Sequence, residues 1–341
     1  MSKAAELANL IGNINAGGGG ANKNAIINGS MNVSQRSVSA TNRGDDTGYY
    51  VLDRWKISTG SYQSGRLTLS QDSSAPSGFA NSTKFDCTTA DTSIASGEFL
   101  QFEQLIEGQN LQAFAKGTAD AKPFAVSFYV KGNASATYVC ELFDADNSRQ
   151  ISKTFNVTTD WTRVELSFPA DTTGAFDDDN ASSLALVIHL NAGSNYTSGT
   201  INSGSWASST NANRVGSGTT SFFDSTSRTF FITGVQLEVG QNPTSFEHEP
   251  VERTLAKCLR YYEYFDYFYR SSLTGYNYKN YSWKVEKRAA PSMSTSIASN
   301  PDSSTIYTIN AEGTFGFRQN HYTNGGGAGG ITVNTYGDAE L

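Results

Sequence analysis

The sequence predicts an all-β chain: a jelly-roll β-sandwich followed by a smaller C-terminal β domain, with a short N-terminal helix and a Gly-rich linker ahead of both. Three observations predict this. Apolar residues alternate in short runs, the runs are separated by Gly, Asn, Ser and Thr, and helical periodicity is confined to two brief stretches. Hydrophobic residues make up 38% of the chain and charged residues only 17%, the balance of half-buried strands joined by turns. At 341 residues the chain exceeds the usual size of one domain, so two globular units are expected.

The first stretch, residues 1–23, places Ala4, Leu7, Ala8 and Ile11 at helical spacing behind Ser2, and Gly17 to Gly20 then form a flexible tether. So short a helix is unstable alone and needs a partner surface, which makes the segment a candidate anchoring peptide. Residues 24–250 carry the sandwich pattern. Phe124, Val126, Phe128 and Val130 alternate, as do Trp161, Val164, Leu166 and Phe168, then Leu184, Leu186, Ile188 and Leu190, then Phe230, Ile232, Val235, Leu237 and Val239. Residues 251–341 open on a short helix, because Leu255, Cys258, Leu259 and Tyr262 follow helical spacing behind Pro250. The aromatic run from Tyr261 to Tyr269 favours a strand. Tyr276 and Tyr278 alternate on one parity and Tyr281, Trp283 and Val285 on the other, which predicts a bulge or tight turn at Lys279–Asn280. Further short runs include Thr314 to Phe317, and Gly325 to Gly330 reads as an exposed loop.

Composition narrows the function classes. A formal net charge of -7 opposes docking on a polyanion, so nucleic acid is not an expected partner. No segment approaches the roughly 20 apolar residues of a membrane span, and no basic, then apolar, leader opens the chain. Cys87, Cys140 and Cys258 are widely spaced and odd in number, which fits synthesis in a reducing compartment. His189, His248 and His321 stand apart, without HExxH, GxSxG or a P-loop, so the expectation is a protein that is not an enzyme.

Several phrases carry a resemblance. Ile26 to Arg36 reads IINGSMNVSQR, Tyr49 to Trp55 reads YYVLDRW, Ile232 to Gly240 reads ITGVQLEVG, Pro243 to His248 reads PTSFEH, and Cys258 to Tyr262 reads CLRYY. In this order and spacing they resemble the tail-fibre and related virion proteins of tailed bacteriophages of the marine podovirus and myovirus type, over roughly residues 24 to 265. The resemblance implies a carbohydrate-binding-like jelly-roll module, a smaller β domain and a homotrimer on the virion. It implies a fibre or adhesin made in the host cytoplasm, docked on other virion proteins through residues 1–23, on tail or capsid exterior. The phrases themselves look like scaffold and identify no ligand site.

Candidate sites follow from residue chemistry. Tyr196, Trp206 and Arg214 bring aromatic faces and a fork of donors into one Asn- and Ser-rich loop, the ingredients of a site for bacterial surface polysaccharide, although Trp206 could instead plug the end of the sandwich. Tyr261, Tyr262, Tyr264, Phe265, Tyr276, Tyr278, Tyr281 and Trp283 read as an inter-subunit core. No cofactor is expected: Asp177, Asp178 and Asp179 read first as a solvated turn, with a structural calcium held through their carboxylate oxygens as the alternative. Glycan depolymerisation by paired carboxylates would leave no local motif. Asp144 with Asp146, or Glu103 with Glu107, are pairs of that type whose default reading is solvated surface charge. The expected function is therefore a trimeric phage fibre or adhesin, with a capsid-decorating or tail structural protein as the alternative and a depolymerase as the third.

Overall fold

The computed structural model describes Lys3 and residues 23–60, 63–269, 275–299, 305–323 and 331–341. The candidate anchoring residues Ala4, Leu7, Ala8 and Ile11, the expected Gly17–Gly20 tether and the expected Gly325–Gly330 loop lie outside the described residues. The chain divides into two compact units, Met1–Glu249 and Pro250–Leu341.

The first unit is an antiparallel β-sandwich. In chain order its strands are β1 (Ser39–Arg43), β2 (Lys56–Thr59), β3 (Arg66–Asp72), β4 (Ser82–Thr89), β5 (Phe99–Glu107), β6 (Phe124–Gly132), β7 (Ala136–Asp144), β8 (Arg149–Val157), β9 (Thr162–Phe168), β10 (Ser182–Ala192), β11 (Ala207–Ser208) and β12 (Thr229–Val239). They form two six-stranded sheets, ordered β1-β3-β4-β12-β6-β9 and β11-β8-β7-β10-β5-β2. Every pairing is antiparallel, and the chain crosses repeatedly between sheets, as in a jelly roll. The alternating runs fill the space between the sheets: Phe124, Val126, Phe128 and Val130 from one, and Leu184, Leu186, Ile188 and Leu190 from the other, are all fully buried. Trp55 stacks on Phe102 with ring centroids 4.6 Å apart, and Phe102 meets Phe85 edge to face at 5.1 Å.

Four of the phrases that carry the resemblance lie in this unit and converge around β12. Asn28, in left-handed conformation at φ 58° and buried, accepts from the amides of Asn32 and Val33. Its own amide donates to the carbonyls of Val33 at 2.8 Å and Asp53 at 3.1 Å. Gly29 lies so close to β12 that an added Cβ would stand 2.1 Å from the Val235 carbonyl oxygen. Gly234, at φ 63°, allows the β-bulge at which β12 slips register against β6 between Thr233 and Gln236. Asn24 accepts from the Leu237 amide at 3.0 Å, while buried Glu238 accepts from the Thr244 amide at 2.7 Å. These residues close the sandwich, and their polar groups are consumed by one another.

The second unit begins with α2 (Val251–Leu259), entered through Pro250; α1 (Ser194–Thr197) is a single turn in the first unit. Six strands follow: β13 (Tyr262–Tyr269), β14 (Gly275–Ser282), β15 (Ser292–Ser299), β16 (Thr305–Ala311), β17 (Gly316–Thr323) and β18 (Ile331–Asp338). They form two three-stranded antiparallel sheets, β13-β18-β15 and β14-β17-β16. The expected bulge at Lys279–Asn280 is absent: β14 pairs with β17 in unbroken register from Gly275 to Ser282. The change of aromatic parity is real, but it places aromatics on both faces of one straight strand. Thr314 and Phe315 sit in the turn before β17 instead of within it.

That arrangement also corrects the inter-subunit reading of much of the aromatic cluster. Tyr261, Tyr262 and Trp283 are buried within the unit itself. Phe265 from one sheet packs edge to face on Tyr281 and Phe317 of the other, at 5.4 and 5.7 Å, and Trp283 lies 4.8 Å from Phe317. Tyr264 is half-buried, 5.3 Å from Tyr336, and donates to Asn334 at 3.0 Å. The side chain of Tyr276 lies outside the described residues. Among the described side chains of the set, only Tyr278 stands well exposed, at 66%.

Candidate functional site

Strand alternation gives the sheet containing β7, β10 and β5 an outer face of polar residues. Register sets Ser152, Glu141, Val187, Glu103 and Lys56 in one row, with Thr154, Val139, His189, Gln101 and Ser58 in the next. Glu141 is fully buried and takes a fork from Arg214, Nε at 3.0 Å and Nη2 at 2.7 Å, together with His189 Nε2 at 2.7 Å. With the His189 proton on Nε2, Nδ1 accepts from the Gln101 amide at 3.3 Å. Burial pushes the Glu141 carboxyl up, but the hydrogen bonds and charges of His189 and Arg214 outweigh it and hold it below the ordinary carboxylate range.

The loop between β10 and β12 seals this face. The Ser152 amide donates to the Asn202 carbonyl at 2.8 Å, Gln150 donates to the Thr210 carbonyl at 3.3 Å, and the Val215 amide reaches the Tyr196 carbonyl at 3.1 Å. Arg214 is therefore a strut holding the loop to the sheet through its Nε and Nη2 donors to Glu141. Tyr196 is half-buried, edge to face with Phe99 at 5.3 Å. Of the four acids expected on the surface, Glu103, Glu107 and Asp144 are instead buried, and only Asp146 is exposed. A carboxylate pinned as an ion by Arg214 and His189 is a poor general acid, which must hold a proton until the bond breaks.

Trp206 lies at the end of the sandwich, 7% exposed. Its indole N–H donates to the Pro169 carbonyl at 2.9 Å, its ring lies 5.3 Å from Phe124, and Lys116 Nζ sits 5.4 Å from its centroid. Lys116 pairs with Asp144 and, at 3.2 Å, with Asp171, which Arg149 also grips at 2.7 and 3.0 Å. The tryptophan offers no free face to a sugar. It is a plug over a buried charge network, and its assignment to a carbohydrate site is corrected accordingly. Asp177, Asp178 and Asp179 are exposed. The Asp177 amide donates to Asp146 while Asp179 accepts from the Ala181 amide of its own turn. Among the described residues no group of three or more His, Cys, Asp or Glu side chains is placed to hold a metal ion.

The open face is in the second unit. Because Phe317 and Gln319 of β17 point into the core, Arg318 and Asn320 lie on the other face, and the register aligns Asn280 and Asn310 beside Arg318, and Tyr278 beside Asn320. Phe315, 68% exposed, stands at one end of this face and Tyr278 at the other. Between them Arg318 and Glu312 form an ion pair at 2.8 Å, both about half exposed. Asn280, Glu312, Phe315 and Arg318 line a shallow pocket of about 270 Å³. The Asn320 side-chain oxygen makes no hydrogen bond among the described residues. Flat aromatic faces beside amides and a planar cation form a surface that can stack on a sugar ring and both donate to and accept from its hydroxyls.

Of this group the sequence singled out only Tyr278, and in another role. Nothing local marks Phe315 or Arg318. They join Tyr278 through the pairing of β14 with β17, two strands separated by more than thirty positions, and a period-2 reading of either strand alone gives no partner.

No protein-family model matches the chain, and no curated protein matches it. Solved structures similar to it include the enzymatically active domain of tailspike protein 4 of bacteriophage CBA120, at 13% identity and a TM-score of 0.33, covering 63% of this chain and 21% of that one. A family 11 carbohydrate-binding module from Clostridium thermocellum, in complex with a β-1,3-1,4-mixed-linked tetrasaccharide, is similar at 12% identity and a TM-score of 0.30, over 62% of this chain and 99% of that one. The module TmCBM61, in complex with β-1,4-galactotriose, matches at 11% identity and a TM-score of 0.32, over 64% of this chain and 99% of that one.

Proposed function

We propose that the chain is a structural protein of a phage virion, a fibre or adhesin that attaches to the particle through residues 1–23 and binds a bacterial surface glycan through the outer face of its C-terminal unit. The observation that carries the glycan reading is the face itself: two exposed aromatics flank amide and ion-pair groups, whereas the polar face of the sandwich is closed by its own loop. The phage reading rests on the five sequence phrases between Ile26 and Tyr262, which the fold uses as scaffold. In this account the protein binds without cleaving, and it assembles as a homotrimer.

Retention of the full chain on immobilised polysaccharides tests the reading. A panel of neutral polymers (glucan, galactan, mannan, xylan) and anionic ones (alginate, polygalacturonate) is to be compared with bare matrix. Retention on at least one polymer, with no rise in reducing ends, is expected. Failure on every polymer would retire the adhesin and leave a decorating or tail structural role, while release of reducing ends would make it a depolymerase. Light scattering should give three times the chain mass, and a monomer at micromolar concentration would remove the trimer.

A further inference from the structure

We infer that the open face takes a neutral, linear oligosaccharide laid along β14 and β17, contacting several consecutive rings instead of one chain end. The inference rests on the glycan reading above and specifies its ligand. Two features carry it: the spacing of the aromatics and the balance of charge between them.

Tyr278 shares a row with Asn320 of β17, and Phe315 sits in the turn immediately before Gly316, where that strand begins four residues earlier. At a strand rise of about 3.4 Å per residue the four steps from Gly316 to Asn320 put the two aromatics on the order of 14 Å apart along the strands, much more than one sugar ring spans. One ring could stack on either aromatic but not on both. The groups between them, Asn280, Arg318 and Asn320, repeat along the same line with the two-residue period of the strands. A ligand that satisfies the whole line must be extended and repeat its hydroxyls along its length, which describes an internal stretch of a linear polysaccharide.

Among the described residues of this line and its pocket the charges are the cation of Arg318 and the anion of Glu312, and they neutralise each other at 2.8 Å. An anionic sugar would have to displace Glu312 and would meet its charge at close range. A neutral sugar leaves the pair intact and accepts from the outer guanidinium N–H groups of the half-exposed Arg318.

The test measures affinity of the full chain, by calorimetry, for oligosaccharides of one to six residues cut from each polymer of the panel that retains it. Affinity should rise with length to at least three residues, with the monosaccharide weaker on the order of tenfold or more, because one aromatic contact is lost. Tyr278→Ala and Phe315→Ala should each flatten that dependence. The bound polymer should be a neutral one, and affinity should change little between about 50 and 500 mM salt, since no net charge is paired. A monosaccharide that binds as tightly as the hexasaccharide, or retention by alginate or polygalacturonate alone with steep salt dependence, would overturn the inference while leaving glycan binding intact. Failure to bind any polymer would overturn both.

Discussion

Arg214 and Glu141, 73 positions apart in sequence, form a forked ion pair at 2.7 and 3.0 Å beneath the loop that closes the sandwich face, and the carboxylate has no exposure to solvent. The pair decides whether Arg214 is a ligand residue or a strut. Arg214→Met leaves a buried carboxylate with only His189, and breaking a pair of this kind should cost about 3 to 5 kcal/mol. A denaturant titration of the variant reads that loss directly; an unchanged midpoint would return Arg214 to the list of ligand residues.

Trp206 gives a second prediction on the same unit. Truncation to Ala removes the plug from the sandwich end and exposes the Lys116–Asp144–Asp171 network, so a cost of about 3 to 5 kcal/mol and a clear drop in Tm are expected. Polysaccharide binding measured below the new Tm should persist. Loss of binding with an unmoved Tm would mean that the indole is free.

The C-terminal unit carries a buried liability. Gln319 is fully buried, yet neither end of its amide makes a hydrogen bond among the described residues. Replacing an unsatisfied buried amide by an apolar group of similar shape removes a desolvation penalty, so Gln319→Leu should raise stability by about 1 kcal/mol. A lower Tm would show that the amide has a partner.

Glu98 supplies a pH dependence. Burial pushes its carboxyl up, and the Asp91 carboxylate beside it pushes further in the same direction. A carboxyl whose folded pKa lies above its unfolded value is harmless at acid pH, where both states hold the proton. It costs stability as pH rises from the unfolded towards the folded value. Glu98→Gln should therefore match the parent near pH 3.5 and exceed its Tm at pH 7. An equal Tm at both pH values would show that the carboxyl is not strained.

The strands were legible because their signal is local. Leu184 to Leu190 and Phe124 to Val130 each declare a buried face by alternation, and the structure buries those side chains. The role of charges was not legible, because burial of Asp144 is decided by Lys116, 28 positions earlier, and burial of Glu141 by Arg214. Nothing in the spelling of an aspartate tells which lysine will meet it. The aromatic run after Tyr261 signals a core, but the unit has a second sheet of its own, and Phe317 receives the rings of Phe265, Tyr281 and Trp283 within the same chain.

The central claim is that the outer face of the C-terminal unit is where the chain meets a glycan. Tyr278 and Phe315 are both about two-thirds exposed, so the double variant Tyr278→Ala/Phe315→Ala should change Tm by no more than about 2 °C. Retention of that full-length variant on the neutral polysaccharide bound by the parent is the most direct measurement. Loss of retention at an unchanged Tm is the predicted result; retention equal to the parent's would contradict the account and place any glycan site elsewhere on the chain.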